Sequence, residues 1–253
     1  MKELSLEEAK KRLTSASAAL YANVISEYDK VKSAYESHSG IILKKLNDAC
    51  YWWFICDLGN SDMIELIKES RAAFGYNIGQ ELLYFVGEIP DNYKAESEDC
   101  TQLFFARIGE ACDNDCDIRI LSENDRSQVE ILTKVPDDDS DRAKNIAGDI
   151  QRDFDNAGKI EKYDIYLLGI FDCAALVGAV SLLADKLGTS IYVANIFVTR
   201  DYRGRNYATR LLRTATAMYP GVAYSYECAP NNFASIATAK SAGYILAGAY
   251  IFR

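Results

Sequence analysis

Between Tyr163 and Ala215 the apolar residues hold one period over three short runs and then change to another. Tyr163 to Phe171 and Ala174 to Ala184 are apolar runs of strand length parted by a tight turn at Asp172-Cys173, and Ser190 to Val198 is a third run rich in β-branched residues. Their length and separation predict a hairpin followed by a third strand. After Val198 the period switches, and Tyr207, Leu211, Leu212 and Ala215 fall on one helical face. The flanks extend this pattern. Ile118 to Leu121 reads as a short strand, Ser122 to Asp125 cap a helix through about Val135, and Arg142 to Phe154 form another helix. Downstream, Val222 to Cys228 reads as a strand, Phe233 to Ala242 as a helix and Tyr244 to Phe252 as a last strand. The predicted order is strand, two helices, three antiparallel strands, helix, strand, helix, strand.

The first part of the chain is less regular. Leu6, Leu13, Leu20, Val24, Tyr28, Val31 and Tyr35 recur at three-, four- and seven-residue steps, which predicts one long helix ending before Ser39-Gly40. On it Tyr21, Tyr28 and Tyr35 are expected to form a core stripe. Tyr51 to Cys56 is an apolar run of buried-strand type, Asn60-Ser61-Asp62 cap a helix to about Phe74, and Glu81 to Val86 is another strand. Gly109 to Asp117 is polar and acidic and makes a boundary. The expected domains are residues 1–112, an α/β domain for packing or for shaping the substrate site, and residues 117–253. The first is also open to being a degenerate half-copy of the second, although no sequence repeat links them.

Composition narrows the function classes. The 253 residues are 49% hydrophobic with a net charge of −9. Nucleic-acid binding needs a basic footprint to release counterions, and no such excess exists. The acidic balance favours solubility and is compatible with a cationic acceptor such as an amine. No apolar stretch of about 18 residues is free of charge, so no membrane span is expected. The N-terminal MKELSLEEAKKRL reads as a helix start and not as a signal peptide. Seven cysteines at irregular spacing do not make a disulfide framework. Cys112 and Cys116 lie close together, but His38 is the only histidine, so no metal site is expected. A reduced, cytoplasmic protein is the simplest expectation. Cys228 is expected in the core.

Chemistry is expected at the junction Ile196-Phe197-Val198-Thr199-Arg200-Asp201-Tyr202-Arg203-Gly204-Arg205-Asn206-Tyr207-Ala208-Thr209. A strand ends, an arginine- and glycine-bearing turn follows, and a helix begins. Unpaired N–H groups and a partial positive charge of about half a unit at a helix N-terminus suit phosphate oxygens. Glycine allows close approach, and Arg203 and Arg205 add charge. The plainer reading is a turn with two solvated arginines.

This junction resembles the Arg/Gln-x-x-Gly-x-Gly/Ala turn with which the GCN5-related N-acetyltransferases hold the pyrophosphate of coenzyme A. Arg203 and Ala208 match, and Asn206 stands where glycine is usual; asparagine tolerates left-handed backbone next best. A second match follows at Asn232, Ser235 and Gly243-Tyr244, where family members carry Asn-x-x-Ser, a helix, and a glycine opening a strand. In the family that asparagine and helix border the pantetheine arm and the adenine end. Asn232 and Gly243 also read simply as helix cap and stop. The resemblance covers residues 117–253. It implies an α/β (α+β) fold, a mixed and mostly antiparallel central sheet flanked by helices, acyl-CoA N-acyltransferase-like. It further implies acetyl-CoA as co-substrate and an amine acceptor, with no metal.

The implied reaction needs N–H donors for the thioester oxygen, which in the family come from the strand before the turn, here near Phe197 and Val198. It also needs a base for the amine. Glu227, five residues before Asn232, is the candidate base, where the family's ribosomal-protein acetyltransferases place a glutamate. Two positions depart from the family. Ala194 replaces a frequent glutamate, and Ala239 the tyrosine that often protonates the thiolate. Tyr226 is the substitute acid, although strand alternation turns it to the face opposite Glu227. Asp137, Asp138, Asp139 and Asp141 form an acidic loop, solvated or facing a cationic acceptor. The sequence stops at Arg253 after the strand that family members pair with a seventh, so the N-terminal domain or a second subunit in a homodimer is expected to supply that pairing. Three readings stay open at this point: an N-acetyltransferase, an acyl-CoA-binding module without turnover, and an unrelated α/β protein.

Overall fold

The computed structural model describes residues 1–17, 21, 24, 28–47, 50–59, 62–76, 80–87, 101–111, 115–136, 139–161, 163–185 and 190–252. In chain order the elements are β1 (Lys2–Leu4), α1 (Leu6–Ser17), β2 (Val31–Glu36), β3 (Ile41–Asn47), β4 (Cys50–Cys56), α2 (Met63–Phe74), β5 (Glu81–Val86) and β6 (Thr101–Ile108). Then come β7 (Ile118–Ile120), α3 (Arg126–Leu132), α4 (Asp141–Asn156), β8 (Tyr163–Asp172), β9 (Ala175–Asp185), β10 (Ser190–Val198), α5 (Tyr207–Ala217), β11 (Ala223–Cys228), α6 (Phe233–Ser241) and β12 (Ile245–Phe252). The chain divides into two units. One holds Met1–Ala106, Glu227–Phe233 and Leu246–Arg253, and the other Arg107–Tyr226 and Ala234–Ile245. Among the described residues no helix is long and apolar enough to cross a membrane.

In the first unit, β2, β3 and β4 form an antiparallel meander, β1 adds antiparallel to β2, and β5 joins β4 in parallel after α2. The second unit repeats that succession. β8, β9 and β10 form a meander, β7 adds antiparallel to β8, and β11 joins β10 in parallel after α5. The last strand, β12, pairs antiparallel with β5, from Gly248 opposite Val86 to Phe252 opposite Leu82. The N-terminal part of the chain therefore supplies the edge pairing that the sequence left open.

The single long helix expected over Leu6 to Tyr35 is corrected. Helix α1 ends at Ser17, and Val31–Glu36 is a strand pairing with both β1 and β3. Two ladders of backbone hydrogen bonds outweigh a helical spacing that Val31 and Tyr35 satisfy only by coincidence. Leu20 lies outside the described residues. Tyr21 and Tyr28 do enter one core cluster with Leu13, Val31 and Tyr84, whereas Tyr35 packs against a different cluster around Trp53 and Ile67. Strand β3 went unread because Lys44-Lys45 interrupt its apolar pattern. Their ammonium groups lie over aromatic rings, Lys44 Nζ over Tyr51 and Lys45 Nζ over Phe54, so the charges are tolerated within the strand. Strand β6 also went unread. Asp62 caps α2 as expected, its side chain accepting from Glu65 N–H, while Asn60 and Ser61 lie outside the described residues.

In the second unit, α3 and α4 bury one face through Val129, Leu132, Ala143, Ala147, Ile150 and Phe154 against Ile165, Leu167 and Phe197. The expected helix from Ser122 is split into a 3-10 turn, which opens with a capping box between Ser122 and Asp125, and α3 directly after it. Helix α5 buries Leu211, Leu212 and Ala215. The hairpin between β8 and β9 turns at Cys173 and Ala174, both at positive φ (48° and 68°), the twist a two-residue hairpin requires.

Candidate functional site

Parallel pairing between β10 and β11 runs only from Ser190 opposite Ala223 to Val193 opposite Tyr226. At that point the β9–β10 register shifts between Val193 and Asn195, which makes Ala194 the extra residue of a β-bulge. Past the bulge β10 pairs with β9 as far as Val198, and Thr199 N–H continues to Val177 carbonyl at 3.0 Å. Antiparallel residues address the neighbour in alternation, so Asn195, Phe197 and Thr199 face β9 with their backbone groups. Ile196 and Val198 therefore turn N–H and C=O away from β9, on the side where pairing with β11 has ended.

The chain then makes a 3-10 turn at Arg200–Tyr202 and passes through Gly204 at φ 78° and Asn206 at φ 63° before α5 starts. Asn206 sits in the left-handed region that its replacement of glycine demands, and its side chain makes no capping hydrogen bond. The N–H groups of the first turn of α5 are thus left to the cleft beside them. That cleft has a volume of about 370 Å³ and is lined by Ile196, Val198, Tyr202, Arg203, Gly204, Asn206, Tyr207, Ala208, Thr209, Tyr226, Ala234, Ser235 and Thr238.

Among the predicted site residues, Val198, Arg203, Gly204, Asn206, Tyr207, Ala208, Thr209, Tyr226 and Ser235 come together here. Phe197 does not: its ring is buried in the cluster under α3 and α4. Arg205 points elsewhere, donating to Asp201 carbonyl at 3.1 Å and lying over the Tyr202 ring. Asn232 is half-buried just before α6, with its N–H on Ala229 carbonyl. Ile196, Tyr202, Ala234 and Thr238 were missed. Strand alternation from Val198 picks out Ile196, and helical spacing from Ser235 picks out Thr238.

The turn's charges are not free. Arg203 gives both ends of its guanidinium to Asp139 and its Nε to Val198 carbonyl. Arg203 in turn holds the Asp139 carboxyl below the usual carboxylate range. Asp139 belongs to the predicted acidic loop, so that member of it is neither simply solvated nor available to a cationic acceptor; Asp137 and Asp138 lie outside the described residues. The Tyr207 hydroxyl donates to Asp172 at 3.0 Å, and this carboxylate raises the phenol's pKa. Asp115, Cys116 and Asp117 cluster closely enough to suggest a metal site, but Arg210 donates to Asp115 at 2.7 and 2.6 Å and to Asp117 at 2.6 Å. A guanidinium stands where a cation would. Cys112 lies outside the described residues, and His38 pairs with Glu69.

Glu227 follows Tyr226 on β11 and belongs to the first unit. It is half-buried, and burial pushes its carboxyl up to about 7 against the opposing effect of a hydrogen bond from Tyr250 at 3.3 Å. Cys228 beside it is buried, as expected of a core residue. Ala239, at the position of the family's tyrosine, is fully buried.

Residues 135–244 match the model of the Acetyltransferase (GNAT) family. This segment is a GNAT-family domain. The fold has neighbours among solved structures. An acetyltransferase from the GNAT family of Colwellia psychrerythraea aligns over all of this chain and 99% of its own, at 12% identity and a TM-score of 0.50. A functionally unknown conserved protein from Staphylococcus epidermidis aligns over 86% of this chain and 91% of its own, at 13% identity and a TM-score of 0.50. At such identity the likeness concerns the fold. No curated protein matches the chain. The GNAT match contains the whole cleft, from the end of β10 through α6, and the family transfers acyl groups from acyl-CoA.

Proposed function

We propose that this protein moves an acetyl group from acetyl-CoA to an amine, of a small molecule or a peptide, by direct attack with Glu227 as general base. The observation that carries the reading is the coincidence of two features at one cleft. A strand turns Ile196 and Val198 N–H away from its neighbour, and an uncapped helix N-terminus lies beside them. Pyrophosphate oxygens suit the N–H groups of Tyr207, Ala208 and Thr209. The thioester oxygen then accepts from Val198 N–H as it gains charge.

In the step itself the amine nitrogen bonds to the thioester carbon, the C–S bond breaks, and the sulfur leaves with the electron pair. One amine proton passes to Glu227 and a proton from Tyr226 reaches the thiolate. Tyr226 lines the donor cleft, while alternation along β11 turns Glu227 to the opposite face. An alkylamine of pKa about 10.4 is only about 0.04% neutral at pH 7, a handicap of about 4.6 kcal/mol. A carboxylate raised to about 7 narrows the gap that a base of ordinary pKa would face.

The first unit is read as a degenerate acyltransferase-like half with a packing or substrate-shaping role. Its strand succession repeats that of the second unit, but β4 and β5 stay paired through Cys56 and Tyr84 at the end of β4. The place an anion would take is filled from within the chain: Asp57 accepts from Gly59 and Val86 N–H, and Asp62 from Glu65 N–H.

One observation favours a second reading, a binding module without turnover. Arg203 is neutralised by Asp139, and neither Ala194 nor Ala239 offers a reacting group. Thermal unfolding with acetyl-CoA, followed by turnover on an amine panel, separates the readings. Ligand at about one hundred times Kd raises stability by about 2.7 kcal/mol. Stabilisation with turnover supports the enzyme, stabilisation alone the module, and no stabilisation at millimolar ligand refutes both.

A further inference from the structure

Helix α4 carries one acidic residue on its buried face. Asp153 is 7% exposed, three residues beyond Ile150 and beside Phe154, where the stripe otherwise runs through alanine, isoleucine and phenylalanine. A buried carboxylate persists only where it is hydrogen-bonded, and this one is. Its Oδ2 accepts from Ser181 Oγ at 2.6 Å and from Asn195 Nδ2 at 3.0 Å, and Oδ1 lies 3.8 Å from Arg152.

The two donors form one cross-strand pair. Asn195 of β10 stands opposite Ser181 of β9, and this is the first pair after the register shift at Ala194. One carboxylate oxygen thus ties together both strands at the point where the bulge must be absorbed. A bulge adds a residue to one strand only, and a slip by one residue exchanges which backbone groups face which neighbour. Here such a slip would turn Ile196 and Val198 N–H back toward β9 and leave the cleft with the groups of Asn195 and Phe197.

We infer that Asp153 is a positioning residue: by strapping Ser181 to Asn195 it fixes the register of β10 past the bulge and so aims the N–H groups of Ile196 and Val198 into the cleft. Its catalytic consequence rests on the proposed acyl transfer, whereas its structural consequence does not. Asp153 does not line the cleft.

The test pairs a measurement that needs no turnover with one that does. Amide hydrogen exchange is followed on the whole chain for wild type, Asp153→Ala and Asp153→Asn. Loss of the strap should speed exchange at Asn195 and Phe197 by about tenfold or more, while β8 amides stay as they were. Asp153→Asn keeps an acceptor oxygen and should return most of the protection. With acetyl-CoA and an accepted amine, Asp153→Ala should lower kcat by about a hundredfold, as misaimed groups do, with KM for acetyl-CoA changed by less than about threefold. If Asp153→Ala does not fold, Asn195→Ala removes the same bond from the strand side and should give the same pattern. Unchanged exchange at Asn195 and Phe197, or equal acceleration throughout β8 and β10, would overturn the inference. Selective acceleration in a protein that transfers no acetyl group would uphold the strap and sink the proposed function instead.

Discussion

The guanidinium of Arg203 is held in a fork by Asp139, with Nη2 2.9 Å from one carboxylate oxygen and Nη1 3.2 Å from the other, while Nε donates to Val198 carbonyl at 3.0 Å. One side chain thereby joins the end of β10, the turn before α5 and the loop before α4. Its positive charge is already spent on a neighbour when an anionic ligand arrives.

Asp139→Asn should therefore tighten coenzyme A binding, by about two- to fivefold, since the pairing it weakens is of the partly exposed kind. The gain should shrink with added salt. The pair also makes a pH-dependent contribution with a definite sign. The Asp139 carboxyl is lowered by Arg203, so the contact is intact above the ordinary carboxylate range and is lost as pH falls through the lowered value. Calorimetric titration of coenzyme A at two ionic strengths checks the first claim. Weaker binding in the variant would mean that Arg203 has to be held by Asp139 to shape the turn.

Glu227 gives the opposite sign. Burial raises its carboxyl from 4.5 to about 7, so the folded chain binds more protons than the unfolded one between those values. Stability should fall as pH rises through that window and level off above it. Glu227→Gln removes this slope and should be the more stable protein at pH 8, by about 1–3 kcal/mol. As base, Glu227 also predicts acetyl transfer rising with pH to a plateau above about 7. The glutamine variant should lose that turnover while still binding acetyl-CoA. A variant that keeps wild-type kcat would remove Glu227 from the mechanism.

Asn206 adopts φ 63°, a conformation that β-branched side chains resist. Asn206→Val should cost about 1–2 kcal/mol of stability and displace the N–H groups that follow it. Coenzyme A affinity should drop with it, whereas Asn206→Gly should keep both. Thermal unfolding and binding measured on the same two variants check this, and a valine variant that binds normally would show that the turn tolerates another path.

What the sequence conveyed depended on how far apart the cooperating residues lie. The meander from Tyr163 to Val198 and the helix after it were legible because each is written in a local period. The left-handed residue at Asn206 was legible because asparagine tolerates that backbone better than most side chains. Arg203 and Asp139 lie 64 residues apart, and no local pattern links them. Asp153 offered a signal that went unused, an acidic residue on an otherwise apolar helical stripe. Phe197 and Val198 were both expected as donors, and only the register past the bulge separates them. In the first unit, paired lysines hid β3, and a spacing that suits either a helix or a strand hid β2.

The C-terminal strand offers a last test, because it completes the first unit from the far end of the chain. Ile251 is 2% exposed and packs in one cluster with Leu83 and Phe85 of β5 and Ile67 of α2. Its neighbours in register, Tyr250 opposite Tyr84 and Phe252 opposite Leu82, tie β12 to β5 along its length. Ile251→Ala should cost about 2–5 kcal/mol, the loss of the buried side chain plus the cavity it leaves. That cost should fall on the first unit. Hydrogen exchange should accelerate in β4 and β5 while β8 and β9 keep their protection. If protection is lost equally in β8 and β9, the two units unfold as one. If it is lost nowhere, β12 contributes little to the fold it completes.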